Sequence, residues 1–194
     1  MTAQISDTLI FQGQEFVLAA ERGEGLFEPE RHGLSPAMIS TDCHRGYWCT
    51  YEVIAESLRL QQLYIGLSAQ EASAAQNGKG PSLFEQQPVY SEQFHCFAYS
   101  TLSAHAPFTG GLLLAADFIR ELYVHMGFHP AWKFRTVHEL LFEGGTLVQT
   151  RDCSSEIARL REKLGNAALG PRDSRDRKEV ERWIAECFTR QYWL

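Results

Sequence analysis

Long apolar runs are missing from this chain, and no stretch approaches the roughly 18 residues of a membrane span. Residues 1–7 contain no basic segment leading into an apolar one, so no secretory signal is expected. Cysteine is thinly spread, with five in 194 residues: Cys43, Cys49, Cys96, Cys153 and Cys187. Their odd number, wide spacing and lack of a C-x-x-C pair argue against a disulfide framework, a zinc ribbon and a thioredoxin-type centre. A reducing cytoplasm is the expected setting. The G-x-S-x-G, Walker and G-x-G-x-x-G patterns are also absent, so no nucleophile elbow or phosphate cradle is expected. The acidic stretch from Glu21 to Glu30 lacks the regularly spaced oxygens of a calcium loop and reads as a solvated connector.

Positive charge is the scarcer sign, with 18 Lys and Arg against 24 Asp and Glu, a net of −6. That balance argues against nucleic-acid binding through phosphate neutralisation. Residues 1–150 hold 8 basic and 16 acidic side chains, a net of −8, whereas residues 151–194 hold 10 and 8, a net of +2. The first region could attract a basic partner, although a solvated acidic surface explains the charge as well. Apolar residues make up 44% and aromatics 12%, a composition that supports one sizeable core and one domain.

The first 150 residues read as short strands. Thr8–Phe11 and Glu15–Ala19 flank a turn at Gly13. From Tyr47 to Ile54, aromatic and β-branched residues fit a pleated surface, with Tyr47, Cys49, Tyr51 and Val53 on one face. The return strand alternates until Gln61-Gln62, where the pattern slips one place and predicts a bulge. A short helix is expected at 69–76, ending at Asn77-Gly78. Further strands are expected at Phe94–Leu102 and Gly111–Ala116, with a hairpin of Phe134–Phe142 and Thr146–Thr150 around Gly144-Gly145. Residues 151–194 change character. Ser154 or Ser155 can cap a helix ended by Gly165-Asn166, and Asp173 or Ser174 can cap a second. The second carries Val180, Trp183, Ile184, Cys187 and Phe188 on one stripe, which needs a surface to cover; packing on the chain's own sheet is expected ahead of a dimer contact. The fold class expected is α+β: an antiparallel β-rich domain over 1–150, a sandwich or open barrel, with a helical pair at 151–194 packed on it.

Reactive side chains occur in small groups. Asp42-Cys43-His44-Arg45 sets a thiol beside an imidazole and a guanidinium, and His95-Cys96 repeats the adjacency. Neighbours along a strand point to opposite faces, so these pairs are poorly placed to exchange a proton. His125 and His129 have the spacing of a helical zinc pair, but Gly127 and Pro130 argue against a helix and no third ligand is nominated. No metal or cofactor is expected. Trp48, Tyr47, Tyr51, Tyr64, Phe94, Phe97, Tyr99 and Phe108 read as packing, or as a platform if some share an exposed face.

Two stretches together carry a resemblance. Arg45-Gly46-Tyr47-x-x-Thr50-Tyr51-Glu52-Val53 with its leucine-rich return strand is one. Tyr123-Val124-His125-Met126-Gly127-Phe128, followed by Leu140-Leu141-Phe142-Glu143-x-Gly145, is the other. In this order, over about residues 40–150, they resemble a group of bacterial proteins with no established activity. The resemblance implies a fold and no mechanism.

The reading that follows is a cytoplasmic, non-enzymatic recognition module, monomeric or dimeric, that binds a protein or a small ligand and neither nucleic acid nor membrane. A basic, toxin-like protein is one partner the acidic charge suggests. The candidate contact residues are Arg45, Trp48, Glu52 and His125: Arg and Trp often dominate interfaces, and Glu52 and His125 are polar groups in apolar runs. The alternatives are a Cys/His hydrolase or metal-dependent enzyme using Cys43, His44, His95 or His125, and an enclosed small-molecule site within the β region.

Overall fold

The computed structural model describes residues 2–165, 169–171 and 174–192. Strand β1 (Thr8–Phe11) turns into β2 (Gln14–Glu24) through Gln12 and Gly13, whose φ values of 52° and 78° are those of a type I′ hairpin. Strands β3 (Tyr47–Ile54) and β4 (Ser57–Ile65) form the second hairpin. Helix α1 (Ala69–Gln76) begins with a capping box. Ser68 accepts from the Glu71 N–H, and the Glu71 carboxylate accepts from the Ser68 N–H. Short strands β5 (Val89–Ser91), β6 (Cys96–Tyr99) and β7 (Ala104–His105) lead to β8 (Thr109–Phe118). The hairpin of β9 (Phe134–Glu143) and β10 (Thr146–Asp152) is followed by helices α2 (Ser154–Leu164) and α3 (Arg177–Cys187).

The ten strands join in one sheet, in the order β10-β9-β8-β2-β1-β3-β4-β6-β5, with β7 also on β4. The α+β class and the two C-terminal helices are as expected. The sheet is mixed, because β1 lies parallel to β3 while the other pairs are antiparallel. The chain between β1 and β3 includes β2 and residues 25–46, long enough for the crossover a parallel pair needs. Strand β4 offers its second edge to three partners in turn: Ser57 to β10, Arg59 and Leu60 to β7, and Leu63 to Ile65 to β6. The first of these contacts, backed by N–H donation from Leu58 to Gly145 and from Leu147 to Glu56, closes the strand path into a barrel at that end.

The alternation read from β3 and β4 sorts the two faces. Leu9, Leu18, Cys49, Tyr51, Leu58, Leu60, Leu63, Ile65, Leu112, Leu114, Leu140 and Phe142 fill the interior. Gln61 is the extra residue that restores the pattern, since Gln62 pairs with Thr50 and Leu60 with Tyr51. The outer face is covered in two places. Ile5, Ile39 and Cys43 pack against Trp48, Tyr64 and Cys96. On the other side, Trp132 and Phe134 with Ile157 and Leu160 of α2 cover Ala20, Leu113 and Ala115.

The helix caps differ from those expected. The Asp152 carboxylate accepts from the Ser154 N–H, while the Ser154 hydroxyl accepts from the Val137 N–H and so ties the helix to β9. Asp176 caps α3 by accepting from the Lys178 N–H, and Ser174 lies ahead of that helix. Asp173 and Asn166 lie outside the described residues. Among the described residues no helix is long and apolar enough to cross a membrane.

Candidate functional site

A carboxylate is buried where the chain enters β1. Asp7, 4% exposed, accepts from both terminal nitrogens of Arg45, from the Cys49 N–H at 2.7 Å and from Arg190 at 3.0 Å. Burial alone would raise its pKa. Arg45, Arg190 and the Cys49 N–H outweigh that effect and hold it below the usual carboxylate range. Arg45 also donates to the Tyr47 carbonyl at 2.7 Å and lies 4.6 Å above the Tyr47 ring. Arg190, just beyond α3, reaches Glu21 at 3.4 Å and stacks on Phe128 at 4.7 Å. Two residues on, the Tyr192 hydroxyl donates to Glu139, and Arg22 covers its ring. Through these contacts the segment 190–192 is clasped to the outer face of β2 and β9.

Between this clasp and the end of α2 lies a cavity of about 590 Å³. Its walls come from the loop before β9, which supplies Phe128, Pro130, Trp132 and Lys133, and from α3, which supplies Trp183 and Cys187. The volume falls in the range of small-molecule sites, and the lining is mixed, with Phe128, Trp132 and Trp183 set among charged and polar side chains. No residue of α3 is fully buried, and Phe188 is 38% exposed. The apolar stripe therefore does not seal against the sheet. It roofs a space.

Lys133 is the unusual residue of this cavity. It is 4% exposed as a residue, and among the described residues its ammonium makes neither a hydrogen bond nor an ion pair. The buried unpartnered side-chain atoms are His129 Nδ1 and Arg190 Nη2, so Lys133 Nζ keeps an opening, onto the cavity it lines. Its one directed contact is the ring of Trp132, 5.4 Å from Nζ to the centroid. Burial lowers its pKa. The other lining charges differ: Arg182 is paired with Glu179 at 3.0 Å, and Lys163 and Glu186 are exposed. Nearby, His129 packs on Phe118 and Tyr123 with Nδ1 buried and unpartnered. Its pKa falls to about 4, first through burial and then through Lys133.

The roof is held at one point by backbone. The Phe128 N–H donates to the Cys187 carbonyl at 2.7 Å. Gly127 has φ of 61°, and a Cβ there would stand 2.0 Å from the same oxygen. Only glycine allows this approach.

The four residues nominated from sequence do not share this cavity. Arg45 belongs to the Asp7 network. Trp48 is 7% exposed and stacks on Tyr64 at 4.7 Å. Glu52 stands across from Arg59, whose guanidinium donates instead to the Ser103 carbonyl. His125 lies in the loop after β8, its Nδ1 2.8 Å from the Tyr123 hydroxyl. The cysteine and histidine groups are also dispersed. Cys43 is buried with its thiol 3.6 Å from the Tyr47 carbonyl, whereas His44 is exposed. Burial pushes all five thiols up, which disfavours thiolate. Among the described residues no three His, Cys, Asp or Glu side chains group as metal ligands.

Sequence reasoning missed Lys133 and Trp183. The signal for Lys133 was present in Trp132-Lys133-Phe134, a cation between two aromatics after Pro130. Comparison of the chain with protein-family models, with curated proteins and with solved structures finds no match.

Proposed function

We propose that the chain is a small-molecule-binding protein whose site is the cavity beneath α3, and that its ligand is an organic anion with an aromatic or apolar body. The unpaired ammonium of Lys133 carries this reading. A cation whose stem is buried and whose ammonium opens only on a cavity is partly stripped of water and has no counter-ion among the described residues, and an anionic ligand would supply the missing partner. Trp132, Trp183 and Phe128 give the ligand body flat apolar walls. The exposed charges of Lys163 and Glu186 stay in water and leave Lys133 to set the charge preference. The site lies outside the barrel, whose interior is filled by side chains such as Tyr51, Phe108 and Phe142.

The test is a titration followed by tryptophan fluorescence, with phenylacetate, 2-phenylethanol and phenethylamine as matched acid, neutral and basic probes. Phenylacetate is expected to give a saturable change, bind about tenfold tighter than the alcohol, and lose that preference in Lys133→Met. Trp183→Phe should remove much of the optical response. Equal responses to all three probes, unchanged in Lys133→Met, would sink the proposal.

A further inference from the structure

We propose that Lys133 also captures carbonyl compounds covalently, forming an imine with an aldehyde or ketone held in the cavity. The inference rests on the cavity reading above and names a second class of ligand for it. The chain has four lysines, and three of them, Lys79, Lys163 and Lys178, are exposed. Lys133 is the exception in every respect that matters: buried at 4% exposure, without a carboxylate partner, and on the wall of a cavity large enough for an organic molecule. A carboxylate neighbour would hold it as the cation; among the described residues none pairs with it. Desolvation in an apolar pocket is a recognised route to a nucleophilic lysine amine. The aromatic surfaces of Trp132 and Trp183 would seat the body of the ligand and limit water around the carbonyl.

The chemistry balances without a redox partner. The ammonium first releases a proton to solvent. The nitrogen lone pair then attacks the carbonyl carbon, the C–N bond forms, and the carbonyl oxygen takes up a proton to give a carbinolamine. Loss of water breaks the C–O bond and leaves C=N. The sum is amine plus carbonyl giving imine plus water, and it is reversible.

The experiment uses the full chain, benzaldehyde as the probe and cyanoborohydride to reduce any imine to a stable benzylamine, followed by peptide mass mapping. At pH 7 and short exposure, labelling is expected at Lys133 at least about tenfold faster than at the three exposed lysines. Phenylacetate should slow labelling at Lys133 alone. Lys133→Met should lose the rapid phase while keeping the slow one, its thermal unfolding serving to establish that it is folded. Labelling that follows exposure, with Lys133 no faster than Lys79, would overturn the inference. Should phenylacetate still bind in that case, the anion site survives and the covalent step alone fails. If phenylacetate does not bind and Lys133 is not labelled, both fail.

Discussion

Among the described residues, the Asp7 network and Lys133 both draw cations out of bulk water, and they treat the charge in opposite ways. Around Asp7, two guanidiniums share one carboxylate, and a backbone N–H completes its shell. The charges that leave water are paired here, although Nη2 of Arg190 is buried without a partner, and the result ties residues 45, 190 and the start of β1 together. Around Lys133 the charge meets an aromatic ring and open space. The first arrangement is a structural clasp. The second leaves an ammonium facing a cavity with no counter-ion among the described residues, which the proposed anion would supply.

The contrast predicts opposite responses to removing the buried charge, and the largest is at the clasp. Asp7→Asn keeps the shape but leaves Arg45 and Arg190 without their anion. A loss of about 3–5 kcal/mol in urea unfolding is expected, with the segment 190–192 becoming sensitive to protease. The Asp7 carboxyl is held below its ordinary value in the folded state, so its contribution is complete above about pH 4. It is lost as pH falls through the folded-state pKa.

The His129 ring gives a second, smaller effect in a different window. Its folded-state pKa of about 4 lies below the ordinary 6.5, so the unfolded chain takes up the proton first. Stability is therefore full above about pH 6.5 and declines as pH drops toward 4, by about 2 kcal/mol once screening at the half-open ring is allowed for. Unfolding midpoints at pH 7.5 and 5 measure this. His129→Phe should flatten the profile, and an unchanged slope would remove His129 as its source.

The strands and their inward face were legible in the sequence because one rule, period two, governs them, although a sandwich and an open barrel were both left open. Cys49, Tyr51, Leu58 and Leu60 alternate so cleanly that even the slip at Gln61 could be placed. Two features escaped. The parallel pairing of β1 with β3 depends on a crossover that no local pattern encodes. The closure by β4 and β10 is short, the pair Ser57 with Thr146 and two backbone hydrogen bonds beside it. The site was harder still. Its lining comes from the loop before β9 and from α3, which lie about 50 residues apart in the chain, and the stripe on α3 read as a core face because Trp183 and Cys187 obey the helical period whether they meet protein or a cavity. Arg45 drew attention as an interface residue when its partner, Asp7, stood 38 positions away.

The smallest effect expected is the most discriminating, because its sign is reversed. Lys133→Met removes a charge that has no partner among the described residues and replaces it with an apolar chain of similar length. In the absence of ligand this should stabilise the protein by about 1 kcal/mol. It should raise the folded-state pKa of His129 as well, since the positive charge of Lys133 contributes to lowering it. The gain in stability should accompany the loss of phenylacetate binding, the usual exchange where a site is held ready at the expense of the fold. A Lys133→Met protein markedly less stable than the parent would mean that the ammonium is already satisfied in the folded chain. The comparison between the two buried cations would then collapse, because both would be structural. Asp7→Asn and Lys133→Met measured side by side, in one denaturant and at one pH, therefore decide whether this molecule contains one clasp and one site or two clasps.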